Sequence, residues 1–159
     1  MDTTEIMERL ELVEQRLAEH AEGPAPDGLT DPDEGGTERW EAAQVWAHMA
    51  EFVAYWQAQL EKVVDGYSGT PVPFGRMKDD PGRIGGIEAG RHTPIRQLME
   101  QVHDEISVTR RYLPTLTHEQ WQSVGLHPRR GEMQPAQMVE VFMLDHLEEH
   151  ADQLDGLRS

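Results

Sequence analysis

Two histidines four residues apart, His146 and His150, lie in a run whose apolar members Met138, Phe142 and Leu154 keep the same spacing of four. On a helix that spacing stacks side chains one above the other, so both imidazoles fall on the stripe that faces a core. Their Cβ atoms would stand about 5–6 Å apart, from where two rings can converge on one ion. His48 supplies a third ring, because Val45, Met49 and Phe52 surround it with the apolar arc of an earlier helix. At about 1.5 Å per residue, His48 lies roughly 12 Å from the start of its helix, and His150 and His146 roughly 10 and 16 Å from the end of theirs. Antiparallel packing of the two helices would bring all three to one height. Three unpaired imidazoles in a core are costly to desolvate. One divalent ion satisfies all three and keeps an open coordination position. The alternative is three core histidines hydrogen-bonded to neighbouring carboxylates such as Glu51, Asp145 or Glu149.

Around this triad the sequence offers supporting groups. Glu51, one turn after His48, and Glu149, beside His150, could orient ligand N–H groups or act as a base on metal-bound water. Arg76, Arg83 and Arg91 could neutralise a carboxylate on a substrate. Trp40, just ahead of His48, is placed near a pocket, whereas Trp46, Trp56 and Trp121 read as packing. His20, His92, His103, His118 and His127 are assigned to polar faces or loops, off any core stripe.

The elements that must position these residues follow from periodicity. Four segments carry the i, i+3, i+4 apolar pattern and no stretch alternates with a strand's period of two, so the chain reads as all-α. The first helix, residues 4–22, presents Ile6, Leu10, Val13 and Leu17, and Gly23 with Pro24 stops it. Residues 23–37 form a loop, and Thr37 or Glu38 opens a second helix to residue 65 bearing Val45, Met49, Phe52, Trp56, Leu60 and Val63. The third helix takes Thr93 as N-cap and Pro94 as first helical residue, turns Ile95, Leu98, Val102, Ile106, Thr109 and Leu113 inward, and ends at Pro114. Thr117 to Gln120 has capping-box spacing, with Trp121 as apolar anchor. The last helix covers residues 135–157. Between the second and third helices, residues 66–92 hold seven of the fourteen glycines and no periodicity. They are expected to be a long loop of the kind that forms a lid, a crossover between parallel helices or a disordered linker.

Composition excludes several classes. At 159 residues the chain has one domain's length and can bury a core unaided. It contains no cysteine, so thiolate ligation and disulfides are unavailable. A formal charge of −16, from 30 acidic against 14 basic residues, opposes contact with a phosphate backbone, so no nucleic-acid partner is expected. There is no apolar run of membrane-spanning length, and the acidic start MDTTEIMERL lacks the basic and apolar regions of a signal peptide. A cytoplasmic location is the expectation.

The run Trp40-Glu41-Ala42-Ala43-Gln44-Val45-Trp46-Ala47-His48, followed by His127-Pro128 with Gly131 and then by His146-Leu147-Glu148-Glu149-His150 with Gln153, resembles the DinB/YfiT-like family. That resemblance spans nearly the whole chain, residues 1–159 read as one domain. It implies an up-down-down-up four-helix bundle in which one histidine of the second helix and two of the fourth ligate a divalent metal, the positions of His48, His146 and His150. Glu41 and Gln134 stand where the family often has Ser or Thr at a helix start. The family includes thiol-dependent S-transferases, relatives of the mycothiol-dependent maleylpyruvate isomerase, and members without known activity, and a homodimer is consistent with it.

The resulting expectation is a metal-dependent transferase holding zinc or nickel. A low-molecular-weight thiol, mycothiol first and bacillithiol second, would supply the sulfur that this chain lacks, and an electrophilic small molecule would receive it. Two other readings stay open: a metal-dependent hydrolase with Glu51 or Glu149 as base, and a non-catalytic binding bundle.

Overall fold

The structure, a computed structural model, describes residues 2–32 and 38–158. Helix α1, Thr3–Glu22, is started by Asp2, whose carboxylate accepts the Glu5 N–H at 2.9 Å, and it buries Ile6, Leu10, Val13 and Leu17 as its pattern demands. Helix α2, Ala42–Gly66, begins later than the sequence suggested. Thr37 lies outside the described residues. Residues 38–41 are not helical because they pair back on the preceding loop: Thr30 N–H donates to the Trp40 carbonyl at 2.8 Å and Trp40 N–H to the buried Thr30 hydroxyl at 3.0 Å. Glu41 is the N-cap, and Gln44 reaches back to accept its N–H at 3.0 Å. Gln134 before the last helix does the same with Gln137, at 2.9 Å. Both departures from the family's Ser or Thr therefore keep the backward half of a capping box.

The segment 66–92 is not a structureless loop. It contains strand β1, Val72–Pro73, and helix α3, Pro81–Gly90, which starts on an Asp80 cap with proline at its first position. Its glycines do not mark a loop. Gly86 and Gly90, four apart, face α2 so closely that a Cβ would stand 2.7 Å from Glu51 Cγ and 2.8 Å from Ala47 Cβ. Two missing side chains let α3 lie flat on α2 over the turn that carries His48. These glycines serve packing, not flexibility.

Helix α4, Ile95–Tyr112, takes Pro94 rather than Thr93 as its N-cap and buries Leu98, Val102, Ile106 and Thr109; a 3-10 turn over Leu113–Thr115 ends it. Helix α5, His118–Trp121, has the expected Thr117 capping box. Next come strands β2, Gly125–His127, and β3, Gly131–Met133. β2 pairs in parallel with β1 (Val72 opposite Gly125) and antiparallel with β3 (His127 opposite Gly131). The all-α expectation is corrected by this three-stranded sheet, whose strands of two or three residues are too short to show a period of two.

The last helical run is divided. Helix α6, Pro135–Val139, passes through a π turn over Glu140–Leu144 into helix α7, Asp145–Arg158. Three consecutive buried residues, Phe142, Met143 and Leu144, occupy that turn, where the wider coil enlarges the inward face. A helical bundle with one apolar core cluster results, drawn from α1, α2, α4 and the α6–α7 run. Exposed ion pairs join α1 to α7: Arg9 with Asp145 at 3.0 Å, and Arg16 with Asp152 at 2.8 Å and Asp155 at 2.7 Å.

Candidate metal centre

His48 from α2 and His146 and His150 from α7 come together, one ring nitrogen of each lying within 4.8 Å of the others. His48 Nε2 and His146 Nε2 stand 3.4 Å apart. Each ring is also held from outside. His48 Nδ1 meets Glu51 Oε2 at 3.3 Å, His150 Nδ1 meets Gln153 Oε1 at 2.7 Å, and the Phe142 carbonyl hydrogen-bonds the His146 ring. An acceptor on the outer nitrogen of His48 and of His150 keeps the proton there and turns the Nε2 lone pair inward. Glu51 is itself fixed by an ion pair with Arg76, whose guanidinium carbon lies 3.8 Å from the Tyr55 ring centroid.

Burial sets the protonation. For His48, desolvation and then the neighbouring His146 and His150 rings, Arg83 and Arg76 hold the pKa well below the ordinary histidine value. Desolvation, His150 and Arg83 do the same for His146, and the Phe142 carbonyl opposes them. Both rings are therefore neutral at pH 7, the form that binds metals. The Glu51 carboxyl is pushed up by burial, with Arg76 pulling the other way. Aromatic rings wall the cluster: Phe52 stacks on His146 with centroids 4.1 Å apart, and Trp40 lies edge-on to His48 at 5.2 Å and stacked with His150 at 6.1 Å.

Two of the three donors already stand at a spacing that suits one divalent ion. With metal–nitrogen bonds of about 2.0–2.1 Å, two ligands of a tetrahedral site stand about 3.3–3.4 Å apart, the separation of His48 Nε2 and His146 Nε2.

A cavity of about 1170 Å³ opens on the cluster. Trp40, Arg76, Arg83 and Glu149 are among the residues that line it. Arg91 stands elsewhere, donating to Glu41 at 3.1 Å and to Glu88 at 3.3 Å. Glu51 sits behind His48, and Asp145 is an exposed partner of Arg9. Two histidines assigned to polar faces or loops are buried: His20, 2.6 Å from Asp155, and His127, which lines the cavity. Periodicity could not find His127, since its strand is three residues long.

The sequence matches the family model of the DinB superfamily over residues 9–154. The chain belongs to the DinB superfamily. Among solved structures, the mycothiol-dependent maleylpyruvate isomerase superposes on this DinB chain with a TM-score of 0.71 at 12% identity, over 97% of this chain and 61% of the other. The chain thus spans about three-fifths of that enzyme. YfiT from Bacillus subtilis, described as a probable metal-dependent hydrolase with an unusual four-helix bundle topology, gives 0.70 at 18% identity over 98% of this chain and 89% of its own. An uncharacterized protein from Clostridium difficile 630 gives 0.68 at 10% identity, covering 99% and 95%. These likenesses show the fold. No curated protein matches the sequence.

Proposed function

We propose that this DinB protein is a metal-dependent thiol S-transferase whose ion is held by His48, His146 and His150. The observation that carries the reading is the triad: three ring nitrogens within 4.8 Å, with outward acceptors already in place. A bound zinc or nickel ion would supply Lewis acidity, lowering the pKa of a coordinated thiol so that a thiolate is present at neutral pH. The chain has no cysteine, so the sulfur comes from a small thiol, mycothiol or bacillithiol. Glu51 and Gln153 orient His48 and His150, and the ion pair with Arg76 opposes the upward push that burial gives the Glu51 carboxyl. Trp40 and Phe52 keep water from the rings. Arg83, in the cavity wall, offers a positive charge to an electrophile, and Glu149 stands at the same wall.

An up-down-down-up order of the helices belongs to the same reading. Supporting it, Arg9 and Arg16 meet Asp145 and Asp152, as in parallel helices, while His48 and Trp56 meet His150 and Phe142, as in antiparallel ones. We also take the chain as one domain, acting in the cytoplasm as a homodimer and not on nucleic acid, given its −16 charge. Among the described residues no helix is long and apolar enough to cross a membrane.

The test begins by chelating and reloading the protein, which should then hold about one divalent ion per chain, with His146→Ala binding it far more weakly. Mycothiol, bacillithiol, glutathione and cysteine are next titrated against a chromogenic electrophile with wild type and His48→Ala. Transfer that needs both metal and thiol, and is lost in His48→Ala, is expected. Equal rates for the two proteins with every thiol would end the transferase reading. Ester or amide cleavage that needs metal but no thiol would make this a hydrolase, the activity class in the description of YfiT.

A further inference from the structure

The cavity that opens on the three histidines extends past Phe142 to a fourth, His127, which the proposed chemistry does not use. His127 closes β2 and is only 6% exposed, its ring 5.0 Å from that of Phe142, 5.5 Å from Phe74 and 6.1 Å from Trp56. In the turn to β3, the backbone N–H groups of Arg129 and Arg130 both donate to Nδ1, each at 3.2 Å. A nitrogen accepting hydrogen bonds carries no proton, so the neutral ring keeps its proton on Nε2. Burial, then Arg130 and Arg129, hold the ring's pKa below the ordinary histidine value, and the neutral form prevails at pH 7.

Nε2–H is therefore a donor of fixed direction, and no group among the described residues accepts from it. Room for an acceptor is kept by Gly75. Its φ is 91°, its N–H is tied to Gln59 Oε1 at 2.8 Å, and a Cβ there would stand 2.9 Å from Nε2 and 2.5 Å from Cδ2 of His127. Over the ring on which His127 stacks, that of Phe142, the Arg130 guanidinium carbon lies 5.7 Å from the centroid, and both Arg130 and His127 line the cavity. Arg130 has no carboxylate partner among the described residues. Its position adds positive charge to a fixed N–H, a pairing that suits the two oxygens of a carboxylate. The floor between this corner and the triad is apolar, made by Phe142 and by Trp56 stacked on it at 4.0 Å.

We propose that His127 and Arg130 form an anion-binding end of the cavity, which takes the carboxylate of a small molecule whose apolar body lies on Phe142 and Trp56 and points toward the three histidines. This subsite stands apart from the metal reading, since none of its groups belongs to the triad.

Phenylacetate and phenylacetamide are the probes, titrated into metal-loaded and into chelated protein. Histidine side-chain nitrogen-15 NMR and Trp fluorescence provide the readouts. The free protein should show His127 as the Nε2–H tautomer. Phenylacetate should bind and shift the His127 nitrogens, with affinity lower by at least about tenfold for phenylacetamide and for His127→Phe with phenylacetate, as expected for one lost hydrogen bond to a charged group. His127→Gln, which keeps an N–H donor at similar reach, should recover most of the affinity. Binding should persist in chelated protein and in His146→Ala, so a failed metal reading leaves this one standing. An Nδ1–H tautomer, equal affinity for acid and amide, equal affinity of wild type and His127→Gln with a donor-free His127→Leu, or no binding of phenylacetate would each reduce His127 to a water-satisfied structural residue. Phenylacetate that binds only to metal-loaded protein without moving the His127 signals would assign it to the triad instead. Should His127→Phe not fold, the tautomer and the acid–amide comparison in wild type decide the matter alone.

Discussion

Metal-free protein should lose stability as the pH falls from 7.5 to 5.5, and the triad should cause a measurable share of the loss. Burial holds His48 and His146 well below the ordinary histidine pKa, so both stay neutral in the fold through this range. In the unfolded chain each titrates near about 6.5. Between the two values the unfolded state binds more protons, so stability rises with pH there; the full contribution is present above about 6.5 and is lost as the pH drops below it. One such group costs about 1.4 kcal/mol by pH 5.5, and the pair about 2.7 kcal/mol, against a domain stability of about 5–15 kcal/mol. His127, also depressed, adds to the slope with the same sign. Glu51, whose pKa is raised, acts with the opposite sign as the pH approaches the carboxylate range. The assay is urea unfolding of chelated wild type and His146→Leu at several pH values. His146→Leu touches neither Glu51 nor His127, so it should remove about half of the pair's share, about 1.4 kcal/mol, from the pH-dependent drop. Identical pH slopes for the two proteins would show that His146 takes up its proton in the fold as readily as in the unfolded chain and would refute the argument from burial.

Other substitutions test the packing that holds the site. Thr109→Val removes the hydroxyl that donates to Gln57 at 2.8 Å in the buried contact of α2 with α4; the Gln57 amide nitrogen already has no partner among the described residues, so a loss of about 1–3 kcal/mol is expected by chemical denaturation. Gly90→Ala would drive a methyl to within 2.8 Å of the Ala47 side chain and 3.3 Å of its Cα, one residue from His48. It should cost about 1–3 kcal/mol and weaken metal binding by calorimetry, whereas an unchanged midpoint would mean that α3 is not seated there. Phe142→Ala removes the ring shared by Trp56, Phe74 and His127 and should lower stability by about 3–5 kcal/mol in the same denaturation assay.

The triad was legible in the sequence because a helix repeats faithfully. Once His146 and His150 share one stripe of α7 and His48 lies on that of α2, local geometry fixes which way the side chains point. The sequence also determined the apolar stripes of α1, α2 and α4, the capping residues around Thr117, and the absence of any thiol. Tertiary structure decided the rest, because the deciding contacts join residues far apart in the chain and leave no local period. Gly86 and Gly90 read as loop residues until α2 lay against them. Arg76 became the partner of Glu51, and Arg91 was drawn to Glu41 instead of the cavity. His127, in a strand too short to show alternation, acquired its tautomer from two amides in its own turn and its place beside the cavity from Phe142 and Gly75, which neighbour it only in the folded chain.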